Sequence, residues 1–215
     1  MHFKSVKKLS KIFIKQAMSF EPLVTVLMNC RNEEKLIFKS IKSVLNQNYK
    51  NIELVIWDDA SNDNTVNIIQ SFKDKRIKLF NNKTHLGLGP SRRQAIKEIK
   101  GNFVAILDAD DEMENNRIEK QVNEFKYNEK LALVGTWIRF KDIDDKIISE
   151  PFYNKNPFNI LRTKEQIREK MLSKNIIANS SIMYRKENAK EVGWYSNDLE
   201  YSQDYDLSLK LIKSY

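Results

Sequence analysis

Four acidic side chains fall within five positions directly after a short apolar run. The run is 104–107, and the acids are Asp108, Asp110, Asp111 and Glu112. An apolar run with β-branched residues predicts a buried strand, and α/β sheets bind ligands at the carboxyl ends of their strands. Carboxylate oxygens suit Mg²⁺ or Mn²⁺, ions that can also hold a diphosphate. The loop is therefore predicted to be a metal–phosphate site.

The same acidic loop has simpler interpretations. Asn115 or Asn116 could cap a helix whose apolar side chains begin at Ile118, so a plain acidic turn with a cap stays open from the residues alone. An EF-hand calcium loop is set aside. Met113 stands where that loop needs glycine, and a strand-like run rather than a helix precedes the acids.

Two further carboxylate positions could do chemistry. Asp58 and Asp59 follow the apolar run 52–57, and Asp204 opens an apolar-periodic stretch near the end of the chain. One carboxylate suffices as the general base of a transfer to a hydroxyl group. From the residues alone, a turn before a helix also explains Asp58 and Asp59, and a helix N-cap also explains Asp204.

The elements that must position these groups alternate along the first half of the chain. Strands, each followed by a helix, are predicted at 23–28, 52–57, 76–80 and 102–107. This alternation predicts a mostly parallel sheet with helices on both faces. Asn32 is expected to cap the first helix, and Gly101 to end the third. Arg92 and Arg93 are expected in the first turn of that third helix, where a cation opposes the helix dipole and faces solvent or an anion such as phosphate.

In the second half of the chain, strands and helices do not alternate strictly. A longer strand is predicted at 131–140, a return strand at 147–148, and a loop over the site at 150–160. Thr163 and Gln166 form a capping-box signature for a helix that reaches Ser173. A short strand at 180–184, a helix at 187–192 and a last helix that begins near Gln203 follow.

Composition excludes several classes of site. The single cysteine rules out an intrachain disulfide framework, and two histidines leave little for a histidine zinc site or a Ser/His triad. The formal net charge is +8, but five lysines without any acid lie in residues 1–20. Because the basicity is mostly local, we expect no nucleic-acid partner.

The N-terminal residues 1–20 have apolar side chains at roughly helical spacing opposite their lysines. This pattern permits an amphipathic helix on an anionic membrane surface, and a solvated helix or a frayed tail explains it equally well. Lysines interrupt every apolar cluster, so no secretory signal or membrane span is expected. We therefore expect a cytoplasmic protein that permits peripheral contact with the membrane.

Five segments of the chain resemble the family 2 glycosyltransferases of the GT-A fold, over roughly residues 22–213. They are VTVLMNCRNEE at 24–34, IELVIWDDASNDNT at 52–65, THLGLGPSRRQAI at 84–96, GNFVAILDADDEMENNRIE at 101–119 and YSQDYDLSLKL at 201–211. The chain departs from the family where Arg31 replaces a frequent Tyr and Gln203 replaces the usual Glu. Many members also continue beyond the last helix.

The resemblance implies one GT-A domain at 21–215, with a Rossmann-like, mostly parallel sheet. Residues 21–128 form its nucleotide-sugar-binding half, and 129–215 a smaller, shortened acceptor-side half. It implies an inverting transfer of a sugar from a nucleotide donor, commonly UDP-linked, to a glycan, lipid-linked or protein acceptor in polysaccharide synthesis.

The resemblance also implies roles for single residues. Asn29 and Arg31 lie at the uridine pocket, and Asp59 accepts from the uracil N3–H or a ribose hydroxyl. Arg92 approaches the diphosphate. Asp204 is the general base. The metal ligands of the DxD-type site for Mn²⁺ or Mg²⁺ are Asp108, Asp110 and Asp111.

Two other classes of function stay open at this point. A sugar-nucleotidyltransferase shares this kind of sheet, but it normally has a Gly-rich basic loop after the first strand, and Met28 to Glu34 contain no glycine. A non-catalytic nucleotide-sugar-binding module is the other alternative, because Gln203 departs from the family. The acidic loop and Asp204 argue against it.

Overall fold

The computed structural model describes residues 21–142, 144–149, 163–199 and 201–215. The strands in these ranges are β1 Val24–Cys30, β2 Ile52–Asp58, β3 Ile77–Asn81, β4 Phe103–Ile106, β5 Leu133–Val134, β6 Phe140–Lys141, β7 Ile147–Ser149 and β8 Met183–Arg185. The α-helices are α1 Ile37–Leu45, α2 Thr65–Ser71, α3 Leu88–Ala95, α4 Arg117–Tyr127, α5 Lys164–Ser173, α6 Lys186–Glu191 and α7 Gln203–Ser214. The predicted N-terminal helix at 1–20 and the predicted loop at 150–160 lie outside the described residues.

The main sheet has six strands in the order β3-β2-β1-β4-β8-β5. The first four run parallel, and β8 pairs antiparallel with both β4 and β5. Strands β6 and β7 form a separate antiparallel pair. The predicted mostly parallel α/β sheet is therefore confirmed.

Helices cover both faces of this sheet, because the parallel strands are apolar on both sides. On one face the side chains of β1, with Val26 among them, pack with Ile41 of α1 and Phe125 of α4. On the other face Leu27 packs with Leu207 and other side chains of α3, α6 and α7. Successive side chains of a strand point to opposite faces, so both cores follow from the near-continuous apolar runs. None of the helices in the described ranges is long and apolar enough to cross a membrane.

Gly101 has a different role from the predicted helix stop. Helix α3 ends at Ala95 and a 3₁₀ turn, Ile96–Glu98, follows it. A Cβ atom on Gly101 would lie 2.5 Å from the backbone nitrogen of Thr25, so glycine is needed for the close approach of two backbones. The Gly101 N–H also donates to Thr25 Oγ1 at 2.9 Å.

Asn32 does not cap the first helix, because α1 begins at Ile37, five residues later, with Leu36 at its N-cap position. Asn32 has a positive φ of 58° and lies in the loop after β1. Its side chain accepts from the Asn62 N–H at 2.9 Å, and its own N–H donates to Ser61 Oγ at 2.9 Å. The loops after β1 and β2 are therefore held together.

The predicted strand at 131–140 is wrong in extent. Only Leu133–Val134 and Phe140–Lys141 are extended and paired. The Gln121 side chain donates to the Val134 carbonyl, and the Arg185 side chain donates to the Leu131 carbonyl. These two carbonyls are therefore not available for hydrogen bonds with a neighbouring strand. Strand β8 likewise begins only at Met183, after a 3₁₀ turn at Asn179–Ser181. The Thr163 capping box and the return strand β7 are confirmed.

Candidate active site

A cavity of about 290 Å³ lies at the carboxyl edge of β1, β2 and β4. Five of the predicted site residues line it, namely Asn29, Arg31, Asp59, Asp108 and Asp110. The other residues that line it are Cys30, Glu33, His85, Leu88, Ser91 and Ala109. The parallel register brings these distant sequence segments to one edge, as the alternating pattern predicts.

Asp59 is buried at one end of this cavity and accepts four hydrogen bonds. The donors are Asn82 Nδ2 at 2.7 Å, His85 Nδ1 at 2.7 Å, the Leu86 N–H at 2.9 Å and the Gly87 N–H at 2.8 Å. Burial raises the pKa of Asp59, but the hydrogen bonds outweigh burial and leave the pKa below its usual value. The group is therefore a fixed negative charge at neutral pH.

Asp58, its neighbour, faces the protein instead of the cavity. The Ser61 N–H and hydroxyl and the Cys30 thiol all donate to its carboxylate. Asp58 therefore holds the loop after β2 in place, which agrees with the simpler interpretation of this position as a turn before a helix. Burial, followed by the charge of Asp58, raises the pKa of the Cys30 thiol far above its usual range, so this thiol stays protonated.

Asp108 stands at the other end of the cavity and is held from two sides. Its backbone N–H donates to Ser180 Oγ at 2.9 Å, and Asn179 Nδ2 donates to its two carboxylate oxygens at 2.9 and 3.2 Å. Arg92 Nη2 lies 3.7 Å from the nearer oxygen. The 3₁₀ turn before β8 thus fixes the first carboxylate of the acidic loop.

The three carboxylates of the acidic loop have different surroundings. Asp110 is exposed and faces the cavity. Asp111 is exposed as well, but it is hydrogen-bonded to Ser180 and does not line the cavity. Partial burial of its carboxyl, and then the charges of Asp110 and Asp108, raise the pKa of Asp111 above its usual value, although the hydrogen bond with Ser180 opposes the shift. Asp108 and Asp110 are therefore the two carboxylates placed to share a ligand.

A buried arginine lies under this loop. Arg117 donates to the carbonyls of Ile106 and Ile182, both at 3.0 Å, and to Gln121 Oε1 at 3.1 Å. Burial lowers the pKa of Arg117 to about 10, although the charges of Asp111 and Asp108 oppose that shift. The guanidinium stays charged at neutral pH, so it offsets part of the repulsion between the carboxylates above it.

The Arg92 side chain is buried. Of the two expectations from its place in the sequence, solvent or an anion as its neighbour, the first is therefore wrong. Helix α3 begins at Leu88, so Arg92 lies in its second turn, and its guanidinium stands 5.7 Å from the centre of the Tyr195 ring. The Tyr195 hydroxyl lies 3.2 Å from that of Tyr184. Arg93 points elsewhere and donates to the Ser196 carbonyl at 3.4 Å. Of the two arginines, only Arg92 reaches the acidic loop.

Asp204 is the second residue of α7 and is half-buried. Ser202 occupies the N-cap position without a side-chain cap bond, so a helix cap does not account for Asp204. Burial raises the pKa of Tyr195, and the charges of Asp204 and Asp108 add to that shift, while Arg92 and the hydrogen bond with Tyr184 oppose it. Tyr195 therefore lies within electrostatic reach of both carboxylates.

The carboxylates at this edge of the sheet suit a divalent ion whose other ligands come from a bound substrate. Within the ranges that the structure covers, His, Cys, Asp and Glu side chains form no group of three around one point. Mg²⁺ is usually bound through one or two carboxylates together with substrate phosphates, and Asp108 with Asp110 supplies that donor set. Hard carboxylate oxygens suit Mn²⁺ in the same way.

Asn179, Ser180 and His85 are site residues that reasoning from the sequence missed. The first two lie in a polar stretch whose sequence gives no sign that it folds back on a loop about 70 positions earlier. The two histidines were weighed only against a zinc site and a Ser/His triad, although His85 lies two positions before a glycine in a loop that precedes a helix. Loops of this kind often bring polar side chains to a sheet edge.

Known proteins resemble this chain in sequence and in fold. The model of the family described as Glycosyl transferase family 2 matches residues 25–193. An uncharacterized glycosyltransferase of Methanocaldococcus jannaschii is 33% identical over 196 residues, which cover 89% of this chain and 65% of that protein. A UDP-Glc:α-D-GlcNAc-diphosphoundecaprenol β-1,3-glucosyltransferase of Escherichia coli is 39% identical over 115 residues, which cover 54% of this chain and 46% of that protein.

Among solved structures, a mannosyltransferase of Pyrobaculum calidifontis in complex with GDP-Man and Mn²⁺ has a TM-score of 0.69 at 18% identity. The match covers 94% of this chain and 58% of that one, and it confirms the predicted GT-A fold. The chain thus spans about half to two thirds of the length of these relatives. The family match covers more than half of the chain and shows that the chain belongs to glycosyl transferase family 2.

Proposed function

We propose that this chain transfers a sugar from a nucleotide donor, UDP-linked, to an acceptor hydroxyl with inversion, and that Mn²⁺ or Mg²⁺ takes part. The observation that carries the proposal is that one cavity has Asp59 at one end and Asp108 with Asp110 at the other. A carboxylate acceptor suits the base of the nucleotide, and a carboxylate pair suits a metal–diphosphate. The donor of the E. coli relative, UDP-Glc, supports the choice of UDP.

The donor half of the site binds and neutralises the diphosphate. Asp108 and Asp110 hold the divalent ion, which when bound stabilises the negative charge that develops on the leaving nucleoside diphosphate. Arg92 supplies a second positive charge from the helix behind Asp108. Because Arg92 is buried against Tyr195, its charge is screened little by solvent.

The acceptor half of the site removes a proton. In an inverting transfer the acceptor hydroxyl attacks the face opposite the leaving group, so one base on that side is enough. Asp204 has this role in our proposal, because it stands at the start of α7, close to Tyr195 and outside the donor cavity.

We propose a glycan on a lipid diphosphate as the acceptor, in polysaccharide synthesis at the cytoplasmic face of a membrane. The E. coli relative acts on α-D-GlcNAc-diphosphoundecaprenol, which supports this class of acceptor. The five lysines of residues 1–20 would bring the chain to the anionic surface where such acceptors lie.

Deletion of residues 1–20 should therefore release the protein from anionic liposomes and leave turnover of a soluble acceptor nearly unchanged, because each of the five lysines adds attraction to the surface. Co-sedimentation with liposomes that contain phosphatidylserine measures the first effect. Neutral liposomes are the control, since the lysines gain little there. Equal binding of both forms to anionic liposomes would rule out this role of the tail.

Replacement of Asn179 by Ala should lower the Mn²⁺-dependent affinity for UDP-GlcNAc about tenfold, because Asn179 holds both oxygens of the ligand Asp108 and outer-shell partners of this kind tune metal binding. Isothermal titration calorimetry with and without Mn²⁺ measures it. Asn175→Ala is the matched control, since in the described part of the chain its side chain accepts only from the Ile177 N–H of the same loop. Equal affinities of the two variants would show that Asn179 has no such role.

The proposed reaction is tested by turnover. The protein is incubated with UDP-glucose or UDP-GlcNAc, Mn²⁺ and a GlcNAc-diphosphate-lipid acceptor, and release of UDP is followed together with formation of the new glycan. We expect UDP release that requires the acceptor. Hydrolysis of the donor at the same rate with and without acceptor would contradict a transferase function.

A further inference from the structure

The acceptor positions of Asp59 are all occupied. Oδ1 accepts from Asn82 Nδ2 and the Leu86 N–H, and Oδ2 accepts from His85 and the Gly87 N–H, all within 2.9 Å. A carboxylate offers about four lone-pair positions, two on each oxygen. A nucleotide base that donates an N–H to Asp59 must therefore take the place of one of these four donors.

Three of the four donors are held firmly. The Leu86 and Gly87 N–H groups belong to the backbone at the start of α3, and Gly87 has a φ of 91° that favours glycine. Asn82 is tied by further bonds, because it also donates to Ser91 Oγ at 2.9 Å and accepts from Trp57 Nε1 at 3.0 Å. Displacement of any of these would break the loop itself.

His85 is held only by the carboxylate. Its side chain is 52% exposed, and its bond to Asp59 Oδ2 at 2.7 Å is the one hydrogen bond that it makes to the part of the chain that the structure describes. It also lines the cavity that we assign to the donor. It is therefore the donor that can leave Asp59 without cost to the surrounding fold.

We propose that His85 occupies the position on Asp59 that a ring N–H of the donor base takes, so that donor binding displaces His85 and the histidine sets the donor affinity. The proposal rests on the proposed function, because it takes the cavity as the nucleotide site. Uracil presents such a ring N–H at N3, and guanine presents one at N1. Adenine and cytosine have no such ring N–H and could donate only through an exocyclic amino group.

The exchange makes donor affinity depend on His85. The imidazole N–H must give up its 2.7 Å bond to Asp59 Oδ2 before the base can donate there, so the free energy of that bond opposes donor binding.

The test measures affinity by isothermal titration calorimetry at one pH and with a fixed concentration of Mn²⁺. The probes are UDP-GlcNAc and GDP-mannose, whose bases both present a ring N–H. The proteins are the parent, His85→Ala, and Lys83→Ala as a control that removes a nearby exposed cation without touching Asp59. Thermal midpoints show that each variant is folded.

We expect His85→Ala to bind the tighter of the two probes at least fivefold more strongly than the parent, because one acceptor position of Asp59 is then free. Lys83→Ala should follow the parent. Equal or weaker binding by His85→Ala would overturn the proposal, since it would mean that the histidine stays in place or contacts the donor. Absence of binding of both probes to every form would instead refute the donor site itself, and the exchange with it.

Discussion

Replacement of Asp204 by Asn should lower kcat at least about a hundredfold and leave the dissociation constant of the UDP-sugar within about threefold of the parent value. The amide keeps the shape of the carboxylate but cannot take the proton of the acceptor hydroxyl. Donor affinity should be spared because Asp204 is outside the cavity that holds Asp59, Asp108 and Asp110. Steady-state release of UDP gives kcat, and calorimetry gives the dissociation constant.

Asp206→Asn is the matched control on the same helix turn. Asp206 forms an ion pair with Lys210 at 2.7 Å, so its role is explained by α7 itself. A partly exposed pair of neighbouring turns contributes little to stability, and we expect the variant to keep most of its activity. If Asp204→Asn keeps near-parental turnover and Asp206→Asn is inactive, Asp206 is the general base instead of Asp204. If both variants stay active, the general base is a residue outside this helix turn.

Replacement of Asp110 by Asn should weaken UDP-sugar binding in Mn²⁺ by at least about tenfold, with little change in EDTA. The exposed Asp110 carboxylate faces the donor cavity, so it is free to meet an ion held by the diphosphate. Calorimetry with and without the ion separates the metal-dependent part of the affinity from contacts with the base.

Asp111→Asn is the informative comparison for this loop. Both carboxylates were expected as ligands from the resemblance, but Asp111 is hydrogen-bonded to Ser180 and does not line the cavity. We expect the Asp111 variant to lose less metal-dependent affinity than the Asp110 variant. Parental binding by Asp110→Asn in Mn²⁺ would show that the metal site is misplaced.

The sheet could be predicted because each of its parallel strands has a recognisable apolar run in the sequence. The apolar runs of β1, β2 and β4 and the helices between them leave few arrangements other than a parallel sheet. The parallel register then brings the segments that follow Cys30, Asp58 and Ile106 to one edge. Residues directly after these strands, such as Asp59 and Asp108, were therefore found from the sequence.

Contacts between distant segments could not be predicted in the same way. Asn179 reaches Asp108, and Gln203 packs so closely on Gly89 that a Cβ atom there would lie 2.0 Å from Gln203 Nε2. Such pairs depend on tertiary packing, which leaves no periodic pattern in the sequence. For the same reason the burial of Arg92 was not evident, because it depends on the ring of Tyr195 from the second half of the chain.

The thermal midpoint of the protein with nucleotide sugars tests the central claim most directly, because a ligand that binds the native state raises it. We predict that a UDP-sugar raises the midpoint of the parent, that Mn²⁺ increases the shift, and that Asp110→Asn removes the increase. A shift with UTP and a sugar 1-phosphate but with no nucleotide sugar would favour a nucleotidyltransferase. Absence of any shift with nucleotide sugars, with or without Mn²⁺, would contradict the donor site that we propose.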